Sequence, residues 1–96
     1  MTFYEAINKV YSIVDTNGGT EGIDAISLWH IPDDGMSTPI CFYAIEDLDG
    51  NLYASKSNGG LNKQLYFKCL KTPTFELLQS TDWRVKVFKS EVITHF

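Results

Sequence analysis

Only one long stretch of this 96-residue chain has helical spacing, and it comes first. Phe3, Ile7, Val10, Tyr11 and Val14 recur at the interval that places them on one side of a helix. Thr2 and Glu5 stand three residues apart, as a capping box requires: the hydroxyl and the carboxylate each satisfy a backbone N–H that the first helical turn leaves unpaired. Asn17-Gly18-Gly19 provides the stop. The spacing predicts a helix over residues 3–15 with one apolar face to bury. Most of the remaining chain alternates with period two, so the surface that buries this face is a sheet.

The alternating segments succeed one another from residue 25 onward. Residues 25–31 place Ile26, Leu28 and His30 on one face and Ala25, Ser27, Trp29 and Ile31 on the other. Pro32-Asp33-Asp34-Gly35 ends this strand by turn chemistry. Residues 40–47 and 52–57 form a hairpin about Asp49-Gly50, the dipeptide that tolerates positive φ. After Asn58-Gly59-Gly60, residues 64–70 alternate again, with Leu65, Phe67 and Cys69 against Gln64, Tyr66 and Lys68. Thr72-Pro73 reads as an N-cap followed by proline at the first helical position, predicting a short helix over 74–79 with Phe75, Leu77 and Leu78 toward the core. Trp83, Val85 and Val87 then alternate with Arg84, Lys86 and Phe88, and residues 92–96 add a terminal strand. The expected fold is α+β, one domain over 1–96, with a mainly antiparallel sheet of about five or six strands, an N-terminal helix and a short late helix.

Charge is unevenly distributed. Nine acids face a single lysine in residues 1–50, whereas seven bases face three acids in residues 51–96. Such polarity favours head-to-tail association into a homo-oligomer, or an anion on one side and a basic partner on the other. The overall formal charge is −4 and the sequence pI about 4.9, which argues against a long nucleic-acid partner, since phosphate-backbone binders are basic. The opening residues lack a basic segment followed by an apolar core, and no run approaches the ~20 apolar residues that span a bilayer. The expected setting is the cytoplasm, with no membrane partner and with Cys41 and Cys69 as buried free thiols.

Catalytic signatures are absent: the chain has no G-x-S-x-G, H-E-x-x-H, phosphate-binding loop or dinucleotide fingerprint, so no enzyme activity and no cofactor is expected. His30 reads as a satisfied strand histidine and His95 as solvated. Cys41, Cys69, His30 and His95 lack the paired ligand spacing of a zinc site. Asp47-Leu48-Asp49-Gly50 has its glycine too early for a calcium loop, so no metal is expected. A small nucleotide is a better fit. One base can stack on an aromatic side chain while a few cations and turn N–H groups take the phosphates. Trp29, Tyr66, Thr72, Arg84 and Lys86 are the candidate ligand-binding residues. The alternative is a protein-binding inhibitor whose acids, Asp33, Asp34, Asp47 and Asp49, occupy a basic groove on a host nuclease, polymerase or defence effector.

The two ends of the chain and its Asp-Gly turn carry a resemblance. Phe3, Glu5 and Ala6, then Asp49-Gly50, then Leu77-Leu78 followed by Asp82-Trp83 and Val85 resemble the pattern of a family of small phage proteins, the Thoeris anti-defense 2 family. The resemblance implies an α+β oligomer that sequesters a cyclic nucleotide second messenger, an immune signal of the host cell, without cleaving it. In place of the basic, tryptophan-bearing segment that often follows the first helix in that family, this chain has Asn17-Gly18-Gly19-Thr20-Glu21-Gly22.

Overall fold

The computed structural model describes residues 1–32, 34, 36–46 and 65–96. Helix α1 spans Phe3–Asn17, two residues longer than its apolar spacing predicts. Both halves of the capping box form: Glu5 N–H donates to Thr2 Oγ1 at 3.2 Å, and Thr2 N–H donates to Glu5 Oε1 at 2.9 Å. The helix stops where Gly18 enters the left-handed region at φ 76°. Its N–H reaches the Asp15 carbonyl at 3.0 Å and that of Gly19 the Val14 carbonyl at 2.9 Å, the paired bonds of a Schellman motif.

Among the described residues, five strands form one antiparallel sheet: β1 (Ala25–His30), β2 (Ile40–Glu46), β3 (Tyr66–Cys69), β4 (Trp83–Lys89) and β5 (Val92–His95), in the order β3-β2-β1-β4-β5. The α+β architecture is therefore the one that the sequence pattern predicts. The partner of β2 expected at residues 52–57 lies outside the described residues, as do both turns flanking it.

Helix α1 lies on one face of the sheet. Its Ala6, Val10 and Val14 share a buried core with Ile26 and Leu28 of β1, Phe42 and Ile45 of β2, Leu65, and Trp83, Val85 and Val87 of β4. The alternation read from β1 and β4 thus sorts residues to the correct faces. Strand β2 departs from it, because Leu28 faces Tyr43 but Trp29 faces Cys41. Phe42 is the extra residue of this bulge, and it turns into the core beside Trp83 at 5.3 Å between ring centroids.

Two expectations need correction near the late helix. Helix α2 spans Phe75–Leu78, and its N-cap is Thr74, whose hydroxyl accepts from the Leu77 N–H at 3.3 Å. Thr72 is therefore not the cap, and Pro73 is a buried residue preceding the helix. Phe75 is 77% exposed, while Leu77 alone of the three expected apolar contacts packs against the core. A single turn can direct only one side toward the sheet, and the bond from Trp83 Nε1 to the Leu77 carbonyl, at 2.8 Å, fixes which side that is. The cysteines also differ from expectation. Both are free, but Cys41 is only partly buried and Cys69 is exposed.

Candidate cationic-aromatic cleft

The sheet face opposite α1 carries the side chains that core packing rejects. Alternation sends Ser27 and Trp29 of β1 there, and Arg84, Lys86 and Phe88 of β4. Register brings them together: Trp29 lies opposite Arg84, Ser27 opposite Lys86, and Lys86 opposite His95 of β5. Ile31, just past β1, and Thr38 and Pro39, just before β2, stand alongside Trp29. The result is a cleft of about 380 Å³ lined by Trp29, Ile31, Thr38, Pro39, Arg84, Lys86 and His95. That volume lies within the roughly 300–1,000 Å³ of small-molecule sites.

Trp29 is held in place. Its Nε1 donates to Ser27 Oγ at 2.6 Å, two residues back on the same strand face. The Lys86 ammonium stands 4.2 Å from the indole centroid, within the range of a cation–π contact. Arg84 Nη1 donates to the Trp83 carbonyl at 3.1 Å. One bond uses a small part of a guanidinium that carries five N–H donors. The cleft therefore combines a fixed aromatic surface with two cations, one planar and forked and the other a mobile point charge.

Of the five candidate ligand residues, three meet here: Trp29, Arg84 and Lys86. Thr72 is not among the cleft residues, and the backbone of Tyr66 belongs to a strand that does not border it. Tyr66, the first residue of β3, pairs through its backbone with Glu46 of β2, and β3 stands two strand spacings or about 10 Å from β1. Thr72 is exposed on the connection between β3 and α2, where its hydroxyl lies 3.9 Å from Cys69 Sγ. Sheet order separates them from Trp29, and local alternation carries no information about that order. His95, Thr38 and Pro39 line the cleft but are not among the candidate ligand-binding residues read from the sequence. Only the β4–β5 register could have identified His95.

His30 faces the other way, buried beside Trp83 at 5.4 Å between rings, with its Nε2 2.8 Å from Ser80 Oγ. Of the four acids proposed for a protein partner, Asp33, Asp47 and Asp49 lie outside the described residues. Asp34 closes a local turn, accepting from the N–H groups of Met36 at 3.0 Å and Ser37 at 2.8 Å and from the Ser37 hydroxyl. These bonds, led by the Ser37 hydroxyl, hold its carboxyl below the usual aspartate value. Among the described residues, no three His, Cys, Asp or Glu side chains come together as metal ligands. No described helix is long and apolar enough to cross a membrane.

Protein-family models, curated proteins and solved structures contain no significant match to this chain. The cleft must therefore be read from its own chemistry.

Proposed function

We propose that this chain is a cytoplasmic, non-catalytic binding protein whose cleft holds a small anionic aromatic ligand of the nucleotide class. The observation that carries this reading is the Lys86 ammonium 4.2 Å over the Trp29 ring, with Arg84 paired to Trp29 on the adjacent strand. A base stacked on an aromatic side chain gains about 1–3 kcal/mol. A phosphate beside it draws Lys86 from the ring to a stronger charge-assisted bond and meets the forked guanidinium of Arg84. Sequestration supplies the function: the ligand is held and leaves unchanged. That the ligand is a cyclic nucleotide immune signal, and that the chain acts in phage counter-defence, rests on the resemblance carried by Phe3, Glu5, Ala6, Asp49-Gly50, Leu77-Leu78, Asp82-Trp83 and Val85.

The test is to incubate the purified protein with a panel of cyclic nucleotides, remove excess, release bound material by heat and analyse it by mass spectrometry. An intact nucleotide at near one equivalent per site supports the proposal. Recovery of hydrolysed product alone rejects sequestration, and recovery of nothing from any nucleotide rejects the ligand class.

A further inference from the structure

Strand β5 forms one margin of the sheet, and its backbone directions can be assigned. Phe96 and Val85 exchange both N–H···O bonds, at 2.8 and 3.1 Å. In an antiparallel ladder the direction alternates, so Val92, Thr94 and Phe96 point their backbone groups at β4 while those of Ile93 and His95 point outward. No described strand pairs with that outer side. Edge strands are ordinarily blunted by lysine, proline or a bulge. Residues 92–96 contain neither lysine nor proline, and their register with β4 is unbroken. Val92 and Ile93 are 62% and 51% exposed.

We infer that β5 is a self-pairing edge that joins a second copy of this chain in an antiparallel ladder about a two-fold axis at Thr94. The two outward-facing residues lie two positions apart, so Ile93 of each copy exchanges both bonds with the partner's His95. This centre pairs both outward-facing residues of β5. Thr94 meets the partner's Thr94, and Val92 meets the partner's Phe96, a β-branched and aromatic pair of the type that stabilises sheets. No like charges face one another across the ladder. A second copy fits for these reasons: the edge is its own complement in hydrogen bonding, apolar pairing and charge. Five residues make a small patch beside the roughly 1,600 Å² of a standard interface, so the association is weak and reversible. The pairing requires no ligand, and the sheet it creates places two clefts on one continuous face.

Sedimentation over a wide concentration range, with Ile93→Lys as the variant, reads the association. The Ile93 side chain is exposed, so its replacement leaves the fold intact while placing a charge at the edge. The expected result is a reversible dimer that Ile93→Lys weakens by roughly tenfold or more. A cross-link reads the register in a Cys41→Ala, Cys69→Ser background. Thr94→Cys places its thiol beside its own symmetry mate, with Cα atoms about 4.5 Å apart, and oxidises to a covalent dimer. Val92→Cys, about 13 Å from its mate, does not. A chain that stays monomeric at millimolar concentration, a dimer indifferent to Ile93→Lys, or preferential cross-linking at Val92→Cys overturns the inference.

Discussion

Replacing Trp83 tests how this small domain is held together. The side chain is fully buried, packs against Phe3, Phe42 and His30 at ring separations of 5.0, 5.3 and 5.4 Å, and donates from Nε1 to the Leu77 carbonyl at 2.8 Å. Trp83→Phe retains an aromatic ring but removes the donor and leaves a cavity. The Leu77 carbonyl also accepts from Ser80 N–H at 3.0 Å, so it is not left unpaired. The lost bond therefore costs the ordinary net value of about 1 kcal/mol rather than a full desolvation penalty. Incomplete filling of the indole space adds a similar amount, giving about 2 kcal/mol in all. At 4–8 °C per kcal/mol for a domain of this size, the melting temperature falls by about 8–16 °C. Trp83→Ala costs about 3–5 kcal/mol, a large share of the 5–15 kcal/mol that typically stabilises a domain. Thermal unfolding followed by far-ultraviolet circular dichroism measures both, and hydrogen exchange adds a local readout. Because the bond to the Leu77 carbonyl helps hold the single-turn α2 against the core, beside the packing of Leu77 itself, the amides of Leu78, Gln79 and Ser80 exchange faster in Trp83→Phe. A Trp83→Phe protein that melts within about 2 °C of the parent, with those amides unchanged, refutes this assignment of Trp83.

Three further outcomes rest on local chemistry. The Glu5 carboxyl is lowered from 4.5, chiefly by the Thr2 backbone N–H and then by its hydroxyl. Its contribution to stability is thus complete above the unfolded value and disappears as pH falls through the folded one, so Glu5→Gln flattens the acid limb of a melting-temperature profile, while an identical profile rejects the capping role. The β4–β5 hairpin turns through Ser90 at φ 49° and Glu91 at φ 69°, neither of them glycine. Ser90→Asn with Glu91→Gly supplies residues suited to those angles and raises stability by about 1 kcal/mol in urea titration; a lowered midpoint contradicts the strain. Burial raises the Cys41 thiol, whereas Cys69 is exposed, so limiting iodoacetamide at neutral pH alkylates Cys69 first by peptide mass spectrometry; equal rates contradict the assigned burial.

What the sequence makes legible is whatever short-range physics decides. The capping box and apolar spacing specify α1, and period-two alternation separates Val85 and Val87 from Arg84 and Lys86. It also places Ser27 and Trp29 together, since residues two apart share a strand face. The obscure parts depend on contacts between distant segments. Tyr66 and Thr72 are aromatic and polar in the expected way, but the β3-β2-β1 order removes them from Trp29. The β4–β5 hairpin escapes turn chemistry because Ser90-Glu91 contains neither glycine nor asparagine, and the register that brings His95 to Lys86 is hidden with it. At α2, two threonines flank Pro73, and competition between them for the N-cap is settled by the reach of Thr74 to Leu77.

Tryptophan fluorescence tests the cleft most directly, because Trp83 is enclosed while Trp29 lines the site. Cyclic nucleotides titrated at low ionic strength are expected to quench Trp29 saturably, with the effect absent in Trp29→Leu and weakened by added salt. Losing one charge-assisted contact, about 1.5–3 kcal/mol, reduces affinity by roughly 10- to 150-fold in Lys86→Gln or Arg84→Gln. No saturable quenching up to millimolar nucleotide, or binding that survives the paired Lys86→Gln and Arg84→Gln changes, contradicts a ligand site in this cleft.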